Sequence, residues 1–311
     1  MKNTVLIMIF GIFLFGCQRL NTRNKSTDFA KILEDNSGSS EITISEESMN
    51  KIIQSLPSPL EMASIIKESG IKFDQELLNK TGNSDLYSLD TEKAFALGVY
   101  TGDLGYINIY EKTYIAMTYL GAIKNIAEDL KVGQFFDFET IKRLGSNSNK
   151  LDSLLYISTL SFERMDNFLR DQKRGKLSAL IVTGTWLESL FLATHVVKVR
   201  PDERIIERIA EQKMILDQIL IILGIYEKDE FFTKLAGHLN LLKNEYDKVS
   251  LSYIYKEPET REINGRLVIV DNSRTEVNIS HEQLQKITEI VDKIRQKFIF
   301  NNFTSLVIGT L

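Results

Sequence analysis

Apolar and polar positions alternate along this chain with three different rhythms. Val5 to Phe15 is apolar apart from Gly11, and Gln18 to about Ile44 is polar, with Asn36-Ser37-Gly38-Ser39-Ser40 near its centre. From Ser45 onward the apolar residues recur at helical spacing. The pattern predicts helices over 45–56, 59–69, 90–106, 110–130, 135–144, 151–170, 177–199, 201–223 and 230–253, and a last one from 280 to about 299. Their ends carry local signals. Ser58-Pro59-Leu60-Glu61 puts a capping Ser before Pro at N1 with Glu at N3, and Gly70 and Gly224 stand where C′ residues belong. Asp74 caps a short turn through Leu78, and 79–89 reads as a loop. Leu177 to Val199 is apolar on nearly every face, the mark of a central buried helix. The rhythm changes once, after Pro258. Asn264-Gly265 lies between the runs 261–263 and 266–270, a strong β-hairpin signal. Ser280 to Gln283 forms a capping box, and the tail 303–308 is apolar and reads as docking on the body.

The expected fold is therefore all-α: an irregular multi-helix bundle of αα-hairpins with about nine helices and one small β-hairpin near 260–271. A repeat-like superhelix is the other arrangement the same pattern allows. No repeat period supports a true array, since Leu97-Gly98-Val99-Tyr100 has one residue too few for the Leu-Gly-x-x-Tyr of tetratricopeptide repeats and no copy follows.

The first 17 residues carry the clearest address. Lys2 supplies a positive start, the apolar stretch is about a dozen residues long against roughly 20 for a bilayer span, and Leu14-Phe15-Gly16-Cys17 closes it. This ending resembles the bacterial lipobox, with Phe15 bulkier than is usual there. The resemblance implies a signal peptide over 1–16, lipidation of Cys17 as the mature N-terminus, a flexible tether over 17–44 and a helical domain over 45–311. The partner so implied is the lipid bilayer, held through several acyl chains at about 0.8 kcal/mol per buried CH₂. In the bacterial sorting rule an aspartate after the cysteine retains a lipoprotein in the inner membrane. Gln18 stands there instead, and the run Gln18-Arg19-Leu20-Asn21 lacks the acidic residues of surface-exported Bacteroidota lipoproteins. The expected place is the outer membrane, facing the periplasm.

Composition narrows the chemistry. A formal charge of −4 argues against a general nucleic-acid or anionic-membrane binder. Cys17 is the only cysteine. If it is lipidated, the mature domain has no disulfide, no thiol nucleophile and no thiolate metal ligand. No Gly-x-Ser-x-Gly, phosphate-binding Gly-rich loop, His-Glu-x-x-His or Glu-x-x-His motif occurs, so no cofactor and no metal is expected.

Two segments stand out. In 94–106, Ala94, Gly98 and Gly102 recur every fourth residue, with Gly105 three further on. Each glycine costs about 1 kcal/mol against Ala in a helix, so close approach of another helix or of a ligand must compensate. Asp103 lies among them, as a ligand contact or as a partner for a basic residue. In 184–195, Glu188 and His195 sit seven apart in the most apolar helix, suited to acid/base chemistry, metal binding or a satisfied core hydrogen bond. Trp186 lies beside them, as core or as a pocket wall. Tyrosines 100, 106, 110, 114 and 119 are dense enough to line a sugar or peptide site, or to fill a core. The speculative binding set is Tyr100, Asp103, Tyr106, Trp186, Glu188 and His195.

The stretches 56–63 and 96–106 also resemble putative lipoproteins of the Bacteroidota, over about residues 50–250. That likeness implies a compartment and a helical body, and no reaction. The leading expectation is a membrane-tethered, non-enzymatic helical module binding a protein partner or small ligand. The alternative is a hydrolase, or a carbohydrate-active or glycan-uptake protein, using Asp103, Glu188 and His195 in one inter-helix cleft.

Overall fold

The computed structural model describes residues 59–145, 151–263, 266–270 and 274–300. The expected lipobox ending at Cys17, the expected tether, the helix expected over 45–56, the Asn264-Gly265 turn and the apolar tail lie outside the described residues. Within them are nine α-helices and four short strands: α1 (Pro59–Glu68), α2 (Asp90–Ile109), α3 (Thr113–Asp129), α4 (Phe138–Gly145), α5 (Leu151–Asp171), α6 (Gly175–Val199), α7 (Glu203–Gly224), α8 (Glu230–Tyr246), β1 (Ser250–Ile254), β2 (Glu259–Ile263), β3 (Arg266–Val270), β4 (Arg274–Asn278) and α9 (His281–Ile299).

The centre is the pair α2 and α6, packed along most of their length. Around α6 lie α1, α5, α7 and α9. Helix α3 covers α2, and α8 closes the far side against α7 and α9. Because α6 touches helices distant in sequence, the arrangement is a bundle around a core helix rather than a superhelix of successive neighbours. Helix α6 is long and apolar enough to cross a membrane. Here most of it is buried under the other helices, including Leu177, Leu180, Leu187, Leu190 and Ala193.

Glycine lets the central pair close up. A methyl group on Gly98 would stand 2.0 Å from the Ile181 carbonyl oxygen, and one on Gly184 would stand 2.2 Å from that of Phe95. Both helices thus present bare backbone to each other, and the Thr185 hydroxyl bonds the Gly98 carbonyl across the gap at 3.0 Å. The glycine stripe serves helix–helix approach, and the dispersion contacts of two closely packed backbones offset its propensity cost.

Helix starts follow the sequence signals. Glu92 reaches back to the backbone N–H groups of Ser88 and Leu89 at 3.0 and 3.1 Å. Asp229 accepts from Phe231 N–H at 3.1 Å. Ser280 and Gln283 cap each other reciprocally at 2.7 and 3.1 Å. Three ends carry no glycine signal. Glu111, Lys131 and Lys173 each take φ 57° two residues beyond α2, α3 and α5, a left-handed cap normally given to glycine. The next N–H in each case reaches back to Ile107, Ala127 or Leu169. Without a glycine, the end of α2 is read three residues early.

One helix is corrected. The segment 230–253 is not continuous: α8 stops at Tyr246, and Ser250-Leu251-Ser252-Tyr253-Ile254 is a strand. Val249 to Tyr253 alternate apolar and polar, which is strand periodicity. β1 pairs antiparallel with β4 (Ser250 with Asn278, Ile254 with Arg274), and β2 with β3 (Glu259 with Val270, Ile263 with Arg266). The expected hairpin, β2 with β3, is present, and a second ladder, β1 with β4, stands between it and α8 and α9 along the chain. The expected loop 79–89 is also partly regular, a 3₁₀ turn over Thr81–Leu86.

Candidate functional site

Two carboxylates and one guanidinium meet inside the bundle. α2 supplies Asp103, α6 supplies Glu188, and both are 0% exposed. α9 brings Arg295, whose Nε and Nη2 donate to the two Glu188 oxygens at 2.7 Å each. This is the fork-on-fork geometry in which guanidinium–carboxylate bonds are strongest. Nη2 also donates to the Leu77 carbonyl at 3.0 Å. The guanidinium lies 3.9 Å above the Phe191 ring centroid and 5.6 Å from that of Phe300. Burial alone would lower the Arg295 pKa, but the Glu188 carboxylate beside it more than offsets this and holds it above its usual value.

Glu188 reaches this position because Gly102 has no side chain. A methyl there would stand 3.0 Å from the Glu188 Cβ. Asp103, one residue on, turns into the same space. Its Oδ2 accepts from the Asn79 backbone N–H at 3.1 Å. Its Oδ1 finds no donor among the described residues. Burial, then the neighbouring Glu188 charge, push its carboxyl well above the usual carboxylate range.

Tyrosines and an asparagine complete the surroundings. Asn79, fully buried, donates from Nδ2 to the Tyr87 hydroxyl at 3.2 Å. Burial pushes the Tyr87 phenol up to about 12. Tyr100 donates to the Lys80 carbonyl at 2.9 Å and packs edge-on against Tyr119, with centroids 6.1 Å apart. Burial raises both of these phenols as well.

The structure therefore joins three of the six expected site residues, Tyr100, Asp103 and Glu188, in one cluster. The other three go elsewhere. Trp186 faces α7, donating from Nε1 to Gln212 Oε1 at 3.0 Å. Tyr106 accepts from the Asp74 N–H at 3.1 Å and stacks on Phe73, with centroids 5.2 Å apart. His195 faces α9 two turns beyond Glu188. Its Nε2 is 3.2 Å from Asp292 Oδ1, and its Nδ1 is 3.0 Å from the Phe191 carbonyl. His195 and Glu188 thus share the α9-facing side of α6, but each has its own partner there.

Arg295, Asn79 and Tyr87 were not expected. Arg295 had a signal: Ile287, Val291, Ile294 and Phe298 form the apolar stripe of α9, and position 295 is four beyond Val291 on that stripe. Asn79 had none, standing in a polar segment whose sequence carries no period.

As chemistry, the cluster is a closed ionic pin. Both Glu188 oxygens accept from Arg295, whose side chain is 7% exposed. Asp103 and Glu188 have no exposed surface. Among the described residues, no group of three or more His, Asp or Glu side chains is placed to hold a metal ion. No family model, curated protein or solved structure matches the chain.

Proposed function

We propose that this chain is a lipid-anchored protein of the bacterial envelope. In this reading it presents a rigid helical body to a protein partner or small ligand and catalyses no reaction. The observation that carries the second half is the complete burial of Asp103 and Glu188 under Arg295. A catalytic carboxylate must come within hydrogen-bond reach of its substrate, and this pair is covered by α9. The first half rests on the lipobox-like ending at Cys17. An apolar stretch that short suits a cleaved signal better than a span, and the polar segment 18–44 gives the body reach from the membrane.

Complementation of a deletion strain tests both halves together. Cys17→Ser is expected to lose acylation, measured by incorporation of an alkyne-tagged fatty acid, and to fail in complementing the deletion phenotype. The double variant Glu188→Gln/Arg295→Met removes the ionic pair while keeping the core volume. It is expected to be acylated, folded and complementing. A folded double variant that fails to complement would mean that the acidic pair performs chemistry. An unlabelled wild type would remove the anchor.

A further inference from the structure

The charges of the buried cluster do not balance as drawn. Two carboxyl groups, Asp103 and Glu188, face one guanidinium, Arg295, with no exposed surface on either acid. Were both ionised, the fold would bury a net negative charge, which costs several kcal/mol after all relaxation. The hydrogen bonds decide which acid yields. Glu188 receives two charged N–H donors at 2.7 Å. Asp103 receives one backbone N–H, and its Oδ1 faces no donor. Glu188 is the acidic neighbour of Asp103: a methyl group on Gly102, the residue before it, would stand 3.0 Å from the Glu188 Cβ. Two carboxylates cannot bond each other, whereas a carboxylic acid and a carboxylate can.

We propose that Asp103 is kept as a neutral carboxylic acid in the folded protein and donates its proton to Glu188 across the α2–α6 interface. The orphaned oxygen then has a role, the cluster is electrically neutral, and the chain takes up one proton when it folds. The other titratable groups facing the site leave this assignment intact. Tyr100 on the same helix, Tyr119 on α3 and Tyr87 from the preceding segment are phenols raised by burial, hence neutral. Arg295 from α9 is the cation facing the site among the described residues, and it donates to Glu188 and Leu77.

The consequence is a proton-linked dock for α9. Asp103 titrates near 3.8 in an unfolded chain and well above that in the fold. A raised carboxyl pKa gives stability that is fully present below the unfolded value and is lost as pH rises through the folded one. Above that point a second negative charge appears beside Glu188, the residue that holds Arg295 and with it α9.

Infrared difference spectra of the full chain, wild type against Asp103→Asn at neutral pH, read the proton directly. Asn is isosteric, stays neutral and can donate to Glu188 in the same way. A carboxylic-acid C=O band in the wild type that is missing in the variant is expected. Denaturation across pH gives the second readout. From about pH 4 upward, the wild-type unfolding constant should grow by up to about tenfold per pH unit relative to Asp103→Asn, until Asp103 titrates. Absence of the band, or parallel pH profiles, overturns the proposal. If Asp103→Asn does not fold, the wild-type band is compared with that of Glu188→Gln. Loss of the charged acceptor must shift it, and an unmoved band counts against the assignment.

Discussion

Replacing Arg295 by Met is the most informative single perturbation. Met keeps most of the aliphatic volume and the contact with Phe191 but removes the cation paired with Glu188. Glu188 is 0% exposed and loses both donors. It can stay ionised, which costs several kcal/mol, or take a proton. Protonating a carboxyl of ordinary pKa 4.3 at pH 7 costs about 3.7 kcal/mol, and this caps the penalty. The Leu77 carbonyl also loses its donor at 3.0 Å, worth about 1 kcal/mol. The expected loss is about 3–5 kcal/mol, a large part of a typical domain's 5–15 kcal/mol. Because the cap is a protonation cost, it falls by 1.36 kcal/mol per pH unit, so the penalty should shrink by about 2.7 kcal/mol between pH 7 and pH 5. Denaturant titration followed by helical circular dichroism at the two pH values measures this. In a double-mutant cycle, adding Glu188→Gln should restore most of the loss at pH 7. A penalty under about 1 kcal/mol, or one equal at both pH values, would refute the reasoning.

The glycines supply further tests. Gly98→Ala must displace backbone that lies 2.0 Å from the new methyl, so a loss of about 3 kcal/mol or more in chemical denaturation is expected despite alanine's better helix propensity. Gly121→Ala, in α3 with nothing within 4 Å, should stabilise by about 0.5–1 kcal/mol on the same measurement. Lys131→Gly should stabilise by about 0.5–1 kcal/mol, since Lys131 holds φ 57° at the end of α3 at a cost glycine does not bear; a lower thermal midpoint would count against that cap.

Much of the fold is legible in the sequence because its helices are long and strongly periodic. The apolar girth of α6, the Asn-Gly hairpin and the capping box at Ser280 are local signals, and each gives its element. The β1 strand is hidden behind a helix with no glycine or proline at its end: Asp247-Lys248 does not announce a stop, and only the alternation from Val249 to Tyr253 does. The site is legible in part. Asp103 and Glu188 are conspicuous as charges in apolar helices, and the glycines beside Asp103 show that something approaches closely. What the sequence leaves open is the pairing. Glu188 and His195 share a face of α6 by spacing, yet each is matched by a different residue of α9, and that match depends on how α9 docks. Tyr100 and Tyr106 look alike in sequence. One faces the ionic cluster and the other the Phe73 and Asp74 turn, a division made by tertiary packing alone.

The central claim is that the Asp103–Glu188–Arg295 cluster holds the bundle closed and does not open to a substrate. Native-state hydrogen exchange along α2 and α6 of the full chain measures this most directly. The amides of residues 95–107 and 180–193 are predicted to exchange only through global unfolding, with an opening free energy equal to that from denaturant titration. Opening of these amides well below the global value, with the rest of the bundle still protected, would show a cleft that admits solvent and would contradict the account.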